Sequence, residues 1–145
     1  MNEILYQLSL LNIPKKRSNF IELRNACINI SPIGRNCTYE ERIEFYEYDK
    51  KFKVREKLLE KLGPSLKLLN MEGSIGGMIS IDIYYKGWDK SYCLNFIKDQ
   101  ENIHFFGDKC TPLGNDYPLY SNKLVKGHEV KNYYDTMELL NKYFL

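Results

Sequence analysis

An α/β fold in two dissimilar lobes is what this sequence predicts, on three observations. Aliphatic residues alternate with polar ones from Phe20 to Ser31 and from Met78 to Tyr84. That two-residue period marks antiparallel strands covered on one face only. Between them, the stretch from Thr38 to about Leu62 opens on a helix-capping signature. After Gly87 a short apolar run ends in Gly107-Asp108 and a helix closes the chain, the pattern of a parallel strand that finishes at a site-bearing loop.

The elements follow in order. Ile4, Leu5, Leu8 and Leu11 recur at helical spacing and stop before Pro14, so a short amphipathic helix comes first. In "NFIELRNACINISPI", Ile21 and Leu23 alternate with Phe20, Glu22 and Arg24. Beyond a turn at Asn25-Ala26, Ile28 and Ile30 alternate with Asn29 and Ser31, which makes a β-hairpin. Thr38 with Glu41 three residues on is a capping box, and Glu47–Lys51 and Asp49–Lys53 are i, i+4 pairs that support a helix. Gly63-Pro64 is expected to stop it. In "SIGGMISIDIYYKGWDK", Gly76-Gly77 make a bulge or turn. Ile79, Ile81 and Ile83 then point one way, and Met78, Ser80, Asp82 and Tyr84 the other. Residues 1–86 thus form an antiparallel sheet with helices on one side and an open polar face.

Residues 87–145 read differently. A helix over Asp89–Ile97, a strand at Ile103–Phe106, a second strand near His128–Val130 and a helix from Tyr133 make part of a doubly wound sheet. So few parallel strands cannot cover both faces, so apolar surface around Ile103–Phe106 is expected to be exposed.

Several function classes drop out. The 21 basic and 19 acidic residues leave a net charge of +2, spread along the chain, which gives no basis for a nucleic-acid or membrane surface. Cysteines at 27, 37, 93 and 110 form no CxxC pair, and the histidines at 104 and 128 lie far apart in sequence. No zinc site follows from that spacing, and four free thiols in a reducing compartment are expected. No apolar run reaches a spanning length and the start lacks a signal-peptide pattern, so the sequence predicts a cytoplasmic protein. There is no P-loop and no GxSxG.

What remains is a set of charged positions. Arg24, Ser80 and Asp82 project from the polar sheet face, and Arg35 and Arg42 flank the start of the capped helix. Guanidinium groups match phosphate oxygens bidentately, so these three arginines suit a phosphate clamp, with Ser80 and Asp82 placed for sugar hydroxyls. In "WDK" and "FFGDKCTPLGND", Asp108, with Asn115 and Asp116 farther on, offers oxygen ligands to a hard cation such as Mg²⁺. Lys90 is suited to neutralising a phosphoryl group.

The segments "NFIELRNACINISPIGRNCTYEERIEFYEYDKKFKVREK", "GGMISIDIYYKGWDKSYCL" and "IHFFGDKCTPLGNDYPLY" closely resemble the eukaryotic phosphomannomutases of the haloacid dehalogenase superfamily. The resemblance runs from about Phe20 nearly to the C-terminus. It implies a cap domain at residues 1–86, then the C-terminal half of a Rossmann-like core at 87–145. It implies interconversion of mannose 6-phosphate and mannose 1-phosphate through a hexose 1,6-bisphosphate with Mg²⁺, feeding GDP-mannose synthesis and glycosylation, by a homodimer joined through its caps. Phe20 lies on the matching strand.

By the same resemblance, Arg24, Arg35 and Arg42 hold the phosphate distant from the reacting one, and Ser80 and Asp82 contact the sugar. Lys90 stabilises the phosphoryl group and Asp108 binds metal. The Tyr120 carbonyl and Asn122 belong to a second cation site. That site is weakened here, because Asn122 and Val125 stand where an aspartate and a threonine are usual. The family's nucleophile and its acid–base partner lie in a D-x-D-x-[TS] motif, and this sequence contains no D-x-D. It is expected to begin inside the cap and to be inactive alone. A non-catalytic module that binds sugar phosphates or pairs through its cap, and a sugar phosphatase of the same superfamily, are the alternative readings.

Overall fold

A computed structural model of the chain describes residues 1–97 and 101–145. These fall into two compact units, Met1–Trp88 and Asp89–Leu145. The first contains helix α1 (Asn2–Ser9), strands β1 (Ile21–Leu23) and β2 (Ile28–Ile30), helices α2 (Tyr39–Phe52) and α3 (Val54–Leu68), and strands β3 (Met71–Gly76) and β4 (Ser80–Tyr85). The strands form one antiparallel sheet in the order β1-β2-β4-β3. Helices α1 and α3 pack together, and α3 lies against β3 and β4. Between them Ile4, Leu8, Leu58, Leu62, Leu66, Ile30, Ile81 and Ile83 make the main core. The mixed α/β class and the hairpin are as the sequence predicts.

The long helix is in fact two. Lys53 takes left-handed backbone angles (φ 56°, ψ 42°), ending α2 through its N–H on the Asp49 carbonyl at 2.7 Å and starting α3 at once. The break sets Asp49 against the first turn of α3. One carboxylate oxygen accepts the Arg55 backbone N–H at 2.8 Å and the other the Arg55 Nε at 2.7 Å. Asp49 therefore meets Arg55 and not Lys53, and Glu47 pairs with Lys50 and not Lys51. Gly63-Pro64 does not stop the helix either. Pro64 lies inside α3 on its exposed side. The buried seam of Leu58, Leu62 and Leu66 runs straight past it. Burial of that seam outweighs the roughly 3 kcal/mol that an internal proline costs.

Three further expectations need correction. Leu23 is 70% exposed because β1 is a short edge strand, and its far end runs past the core beneath. Strand β3 was not legible in the sequence; its Gly73 suits a place where a Cβ would strike Leu59 at 2.7 Å. The polar sheet face is also less open than its pattern suggests. Asn29 and Ser74 are buried on it, Asn29 under the Arg35 guanidinium. The turn at Gly76-Gly77 stands as expected, with Gly77 at φ 51°.

The second unit opens with a 3₁₀ turn (Lys90–Cys93) running into α4 (Leu94–Ile97), capped by Asp89 on Ser91 N–H at 2.7 Å. Strands β5 (Ile103–Gly107) and β6 (Val125–Glu129) pair in parallel, with the short α5 (Tyr117–Tyr120) between them in sequence. The last strand begins three residues and ends one residue earlier than expected, since its polar, glycine-containing sequence VKGHE shows no strand period. Helix α6 (Tyr133–Phe144) closes the chain, capped by Asn132. Ile103 to Phe106 are only half-buried, in keeping with a two-stranded sheet.

The two histidines, far apart in sequence, meet on this sheet. His104 Nδ1 lies 3.0 Å from His128 Nε2, within hydrogen-bonding distance, and the two ring planes are 18° from parallel with centroids 5.1 Å apart. Phe106 stacks on His128 and Phe144 packs edge-on to His104. Burial, then the neighbouring His104, hold the His128 pKa below its ordinary value.

Two predictions follow from these contacts. Arg55→Ala leaves Asp49 buried and unpaired, and is expected to cost about 3–5 kcal/mol in urea denaturation. A loss below 1 kcal/mol would show that the pair is not needed. A base whose folded pKa is depressed favours the native state fully above its unfolded value, about 6.5. The melting temperature should therefore fall between pH 7 and pH 5. His128→Gln should flatten that slope, and an unchanged slope would remove the pair as its source.

Candidate functional site

In the first unit the site begins with a backbone constraint. Gly34 sits at φ 90°, and a Cβ there would strike the Ser18 carbonyl at 2.6 Å and the Arg17 carbonyl at 2.7 Å. Only glycine lets the 31–37 loop lie this close to residues 17–19. Arg17 N–H donates to Ile33 O at 2.6 Å and Arg35 N–H to Asn19 O at 2.9 Å. The loop so held delivers the Arg35 side chain to the polar face of the sheet.

The register supplies the partners. Glu22 on β1 stands opposite Asn29 on β2, Asn29 opposite Asp82 on β4, and Asp82 opposite Ser74 on β3, one row across the polar face. Arg35 donates through Nη1 to Asn29 Oδ1 at 2.6 Å, and its Nε lies 2.7 Å from Glu22 Oε2. Arg24, at the hairpin turn, donates through Nε to Glu22 Oε1 at 3.1 Å, and its Nη1 lies 3.8 Å from Asp82. Asn29 in turn donates to Asp82 Oδ1 at 2.7 Å. Arg24, Arg35 and Asp82 are thus brought together, with Glu22 spanning the two guanidiniums. The hydrogen bond to Glu22 raises the Arg24 pKa against the lowering effect of burial, and the charge of Asp82 adds to the rise.

The other two positions are placed differently. The Ser80 hydroxyl donates to Gly76 O at 3.2 Å, inside the β3–β4 turn. Arg42 keeps its Nε buried and without a hydrogen-bond partner, and among the described residues it enters no ion pair. At the start of α2 the capping box takes up two of the free backbone N–H groups. Thr38 Oγ1 accepts Glu41 N–H at 3.3 Å, and Glu41 accepts Thr38 N–H at 3.1 Å. Glu41 also pairs with Arg17, which, with the Thr38 N–H, holds its carboxyl below the usual range.

In the second unit Asp116 is the organising residue. Its side chain is 4% exposed. Oδ1 accepts from Lys90 Nζ at 2.5 Å, and Oδ2 accepts the backbone N–H groups of Asp108 and Lys109 at 3.0 and 2.9 Å. Burial pushes its pKa up, but the Lys90 ammonium and the two N–H donors outweigh that and leave it below the ordinary value. Asp108 itself is exposed, with Lys109 Nζ at 2.5 Å. Asn122 Oδ1 accepts Leu124 N–H at 3.0 Å. The Tyr120 carbonyl faces Gly127, where a Cβ would come within 2.4 Å.

Among the described residues no group of three or more His, Cys, Asp or Glu is set to hold a metal. Asp116 is engaged by Lys90 and the loop, whereas the Asp108 carboxylate is exposed. Cys110 donates to Gly107 O at 3.4 Å, and burial pushes its pKa to about 11, so this thiol is inert.

Sequence reasoning did not single out Glu22 or Asn29, and treated Asp116 as a cation ligand and not as the anchor of Lys90. Glu22 and Asn29 carried a usable signal, since each sits mid-strand at a polar-face position of the hairpin. The Asp116 anchor is tertiary and left no local signal.

The family model described as eukaryotic phosphomannomutase matches residues 1–145. The chain is 47% identical to a phosphomannomutase of Dendrobium officinale, over 100% of this chain and 58% of that protein. It is 53% identical to one of Encephalitozoon cuniculi, over 93% and 54%. With human phosphomannomutase 1 the identity is 47%, over 99% and 56%. The chain therefore spans little more than half the length of these curated relatives.

Replacing Asp116 by Asn leaves Lys90 Nζ without its counter-charge and should cost about 1–3 kcal/mol. A carboxyl with a depressed folded pKa stabilises above its unfolded value, about 3.9, and loses that contribution as pH falls through the folded one. The wild type should exceed Asp116→Asn in melting temperature at pH 7 and lose the advantage below about pH 3–4. Equal melting at pH 7 would contradict the anchoring role.

Proposed function

The chain belongs to the eukaryotic phosphomannomutase family, and from that premise we propose that it forms part of an enzyme interconverting mannose 6-phosphate and mannose 1-phosphate. One observation in the structure supports this most: the Arg24 and Arg35 guanidiniums held side by side on a polar sheet face by a single bridging carboxylate. Two forks around one anionic group suit phosphate oxygens. Arg42, with its unpartnered Nε, is assigned to the same phosphate in this reading, and Ser80 and Asp82 to sugar hydroxyls.

In the second unit Lys90, held by Asp116, is proposed to neutralise the transferring phosphoryl group. Asp108 is assigned as one ligand of Mg²⁺, with the Tyr120 carbonyl and Asn122 at a weaker second cation position. A phosphoenzyme would need a nucleophilic carboxylate in a D-x-D motif, which these 145 residues do not contain. Chemistry through a hexose 1,6-bisphosphate then depends on residues outside this sequence.

The same reading carries residues 1–86 as a cap and 87–145 as part of a haloacid dehalogenase core, in the cytoplasm, on the route to GDP-mannose and glycosylation. It also carries a homodimer through the cap, for which β1 offers an edge unpaired among the described residues. Among those residues no helix is long and apolar enough to cross a membrane. The missing D-x-D favours a second reading for the chain by itself, a non-catalytic module that binds sugar phosphates.

Calorimetric titration of the chain with mannose 6-phosphate tests the assignment. Binding is expected for the phosphate ester and not for mannose, and Arg35→Ala should weaken it about tenfold or more. Equal binding of the two sugars would contradict the clamp. A coupled assay should find no mutase turnover by the chain alone, and robust turnover would contradict its dependence on outside residues.

A further inference from the structure

Glu22 lies where an arginine clamp for phosphate would place its ligand. One carboxylate oxygen is on Arg24 Nε at 3.1 Å and the other on Arg35 Nε at 2.7 Å. The group is planar, anionic and two-pronged, with a bite close to that of two phosphate oxygens. Its side chain is 38% exposed, so it can swing into water without leaving a buried charge behind. Asp82 adds a second negative charge beside Arg24. In this arrangement two cations meet two anions, and an arriving phosphate finds no net positive charge at Arg24 and Arg35 until Glu22 withdraws.

We propose that Glu22 is a built-in competitor for the phosphate clamp, an internal carboxylate that the ligand's phosphate must displace from Arg24 and Arg35. The proposal rests on the sugar-phosphate reading above and deepens it. Binding energy spent equally on ground and transition states does not speed a reaction. Where a bisphosphate has to release one end and return with the other, a clamp held too tightly delays the exchange. A carboxylate that re-occupies both guanidiniums as the phosphate leaves lowers the cost of letting go.

A carboxylate that merely positioned the two arginines would have the opposite effect on affinity, so the sign of one measurement separates the roles. Mannose 6-phosphate is titrated calorimetrically into the 145-residue chain and into Glu22→Gln and Glu22→Ala, each checked for native melting. Glu22→Gln keeps the shape and removes the charge, and should bind about five- to tenfold more tightly. Glu22→Ala should shift in the same direction. Tighter binding by both variants, including binding that appears only in the variants, supports the competitor. Wild-type binding with unchanged or weaker binding by the variants overturns it and leaves the sugar-phosphate reading standing. Silence from all three proteins overturns both.

Discussion

The first unit depends on a buried ion pair, Asp49 with Arg55. Asp49 ends its own helix and, through the Arg55 backbone N–H, starts the next. Arg55, 4% exposed, then spends its Nη1 on the carbonyls of Gly76, Gly77 and Ser80 at 3.1 to 3.3 Å. A single side chain thereby ties the helix junction to the turn from which β4 departs. A buried pair of this kind is no proof of net stability against an apolar substitute, since desolvation offsets much of the attraction. Its value lies in register. It ties the start of β4 to the helix junction, while the buried Ile81 and Ile83 set which face of β4 meets the helices.

The polar face inherits that order. Strand register sets Glu22, Asn29, Asp82 and Ser74 in one row, and the glycine-dependent loop brings Arg35 to it from outside the sheet. Glu22 touches both arginines and Asn29 touches Arg35. Like charges gather only with anions between them, and here the protein supplies its own. In the second unit Asp116 meets both the Lys90 ammonium and the backbone at Asp108. In each unit a cation of the candidate site is paired with a carboxylate of the chain itself.

The parts legible in the sequence were those governed by local rules. Alternation revealed β2 and β4, because each contributes buried isoleucines on one face only. The Thr38–Glu41 box fixed the start of α2 because it satisfies backbone donors within one turn. Long-range effects were not legible. The break at Lys53 needs Asp49 and Arg55 to meet, and Pro64 is tolerated because a leucine seam beneath the helix is already buried. Strand β3 carries two glycines and no clean period, and depends on α3 for its place. At the candidate site, residue types pointed to Arg24, Arg35 and Asp82, whereas their connection through Glu22 and Asn29 exists only once three strands are in register. Ser80 and Arg42 had the right chemistry, but the Ser80 hydroxyl is bonded to Gly76 O and Arg42 makes no ion pair among the described residues, so no observed contact joins them to that network.

We read Arg24 and Arg35 as a phosphate site now filled by Glu22. A crystal structure of the chain grown with mannose 6-phosphate would show this. Phosphate density is expected to bridge the two guanidiniums, with the Glu22 side chain turned away from both. Phosphate bound elsewhere, with Glu22 still spanning the arginines, would contradict it.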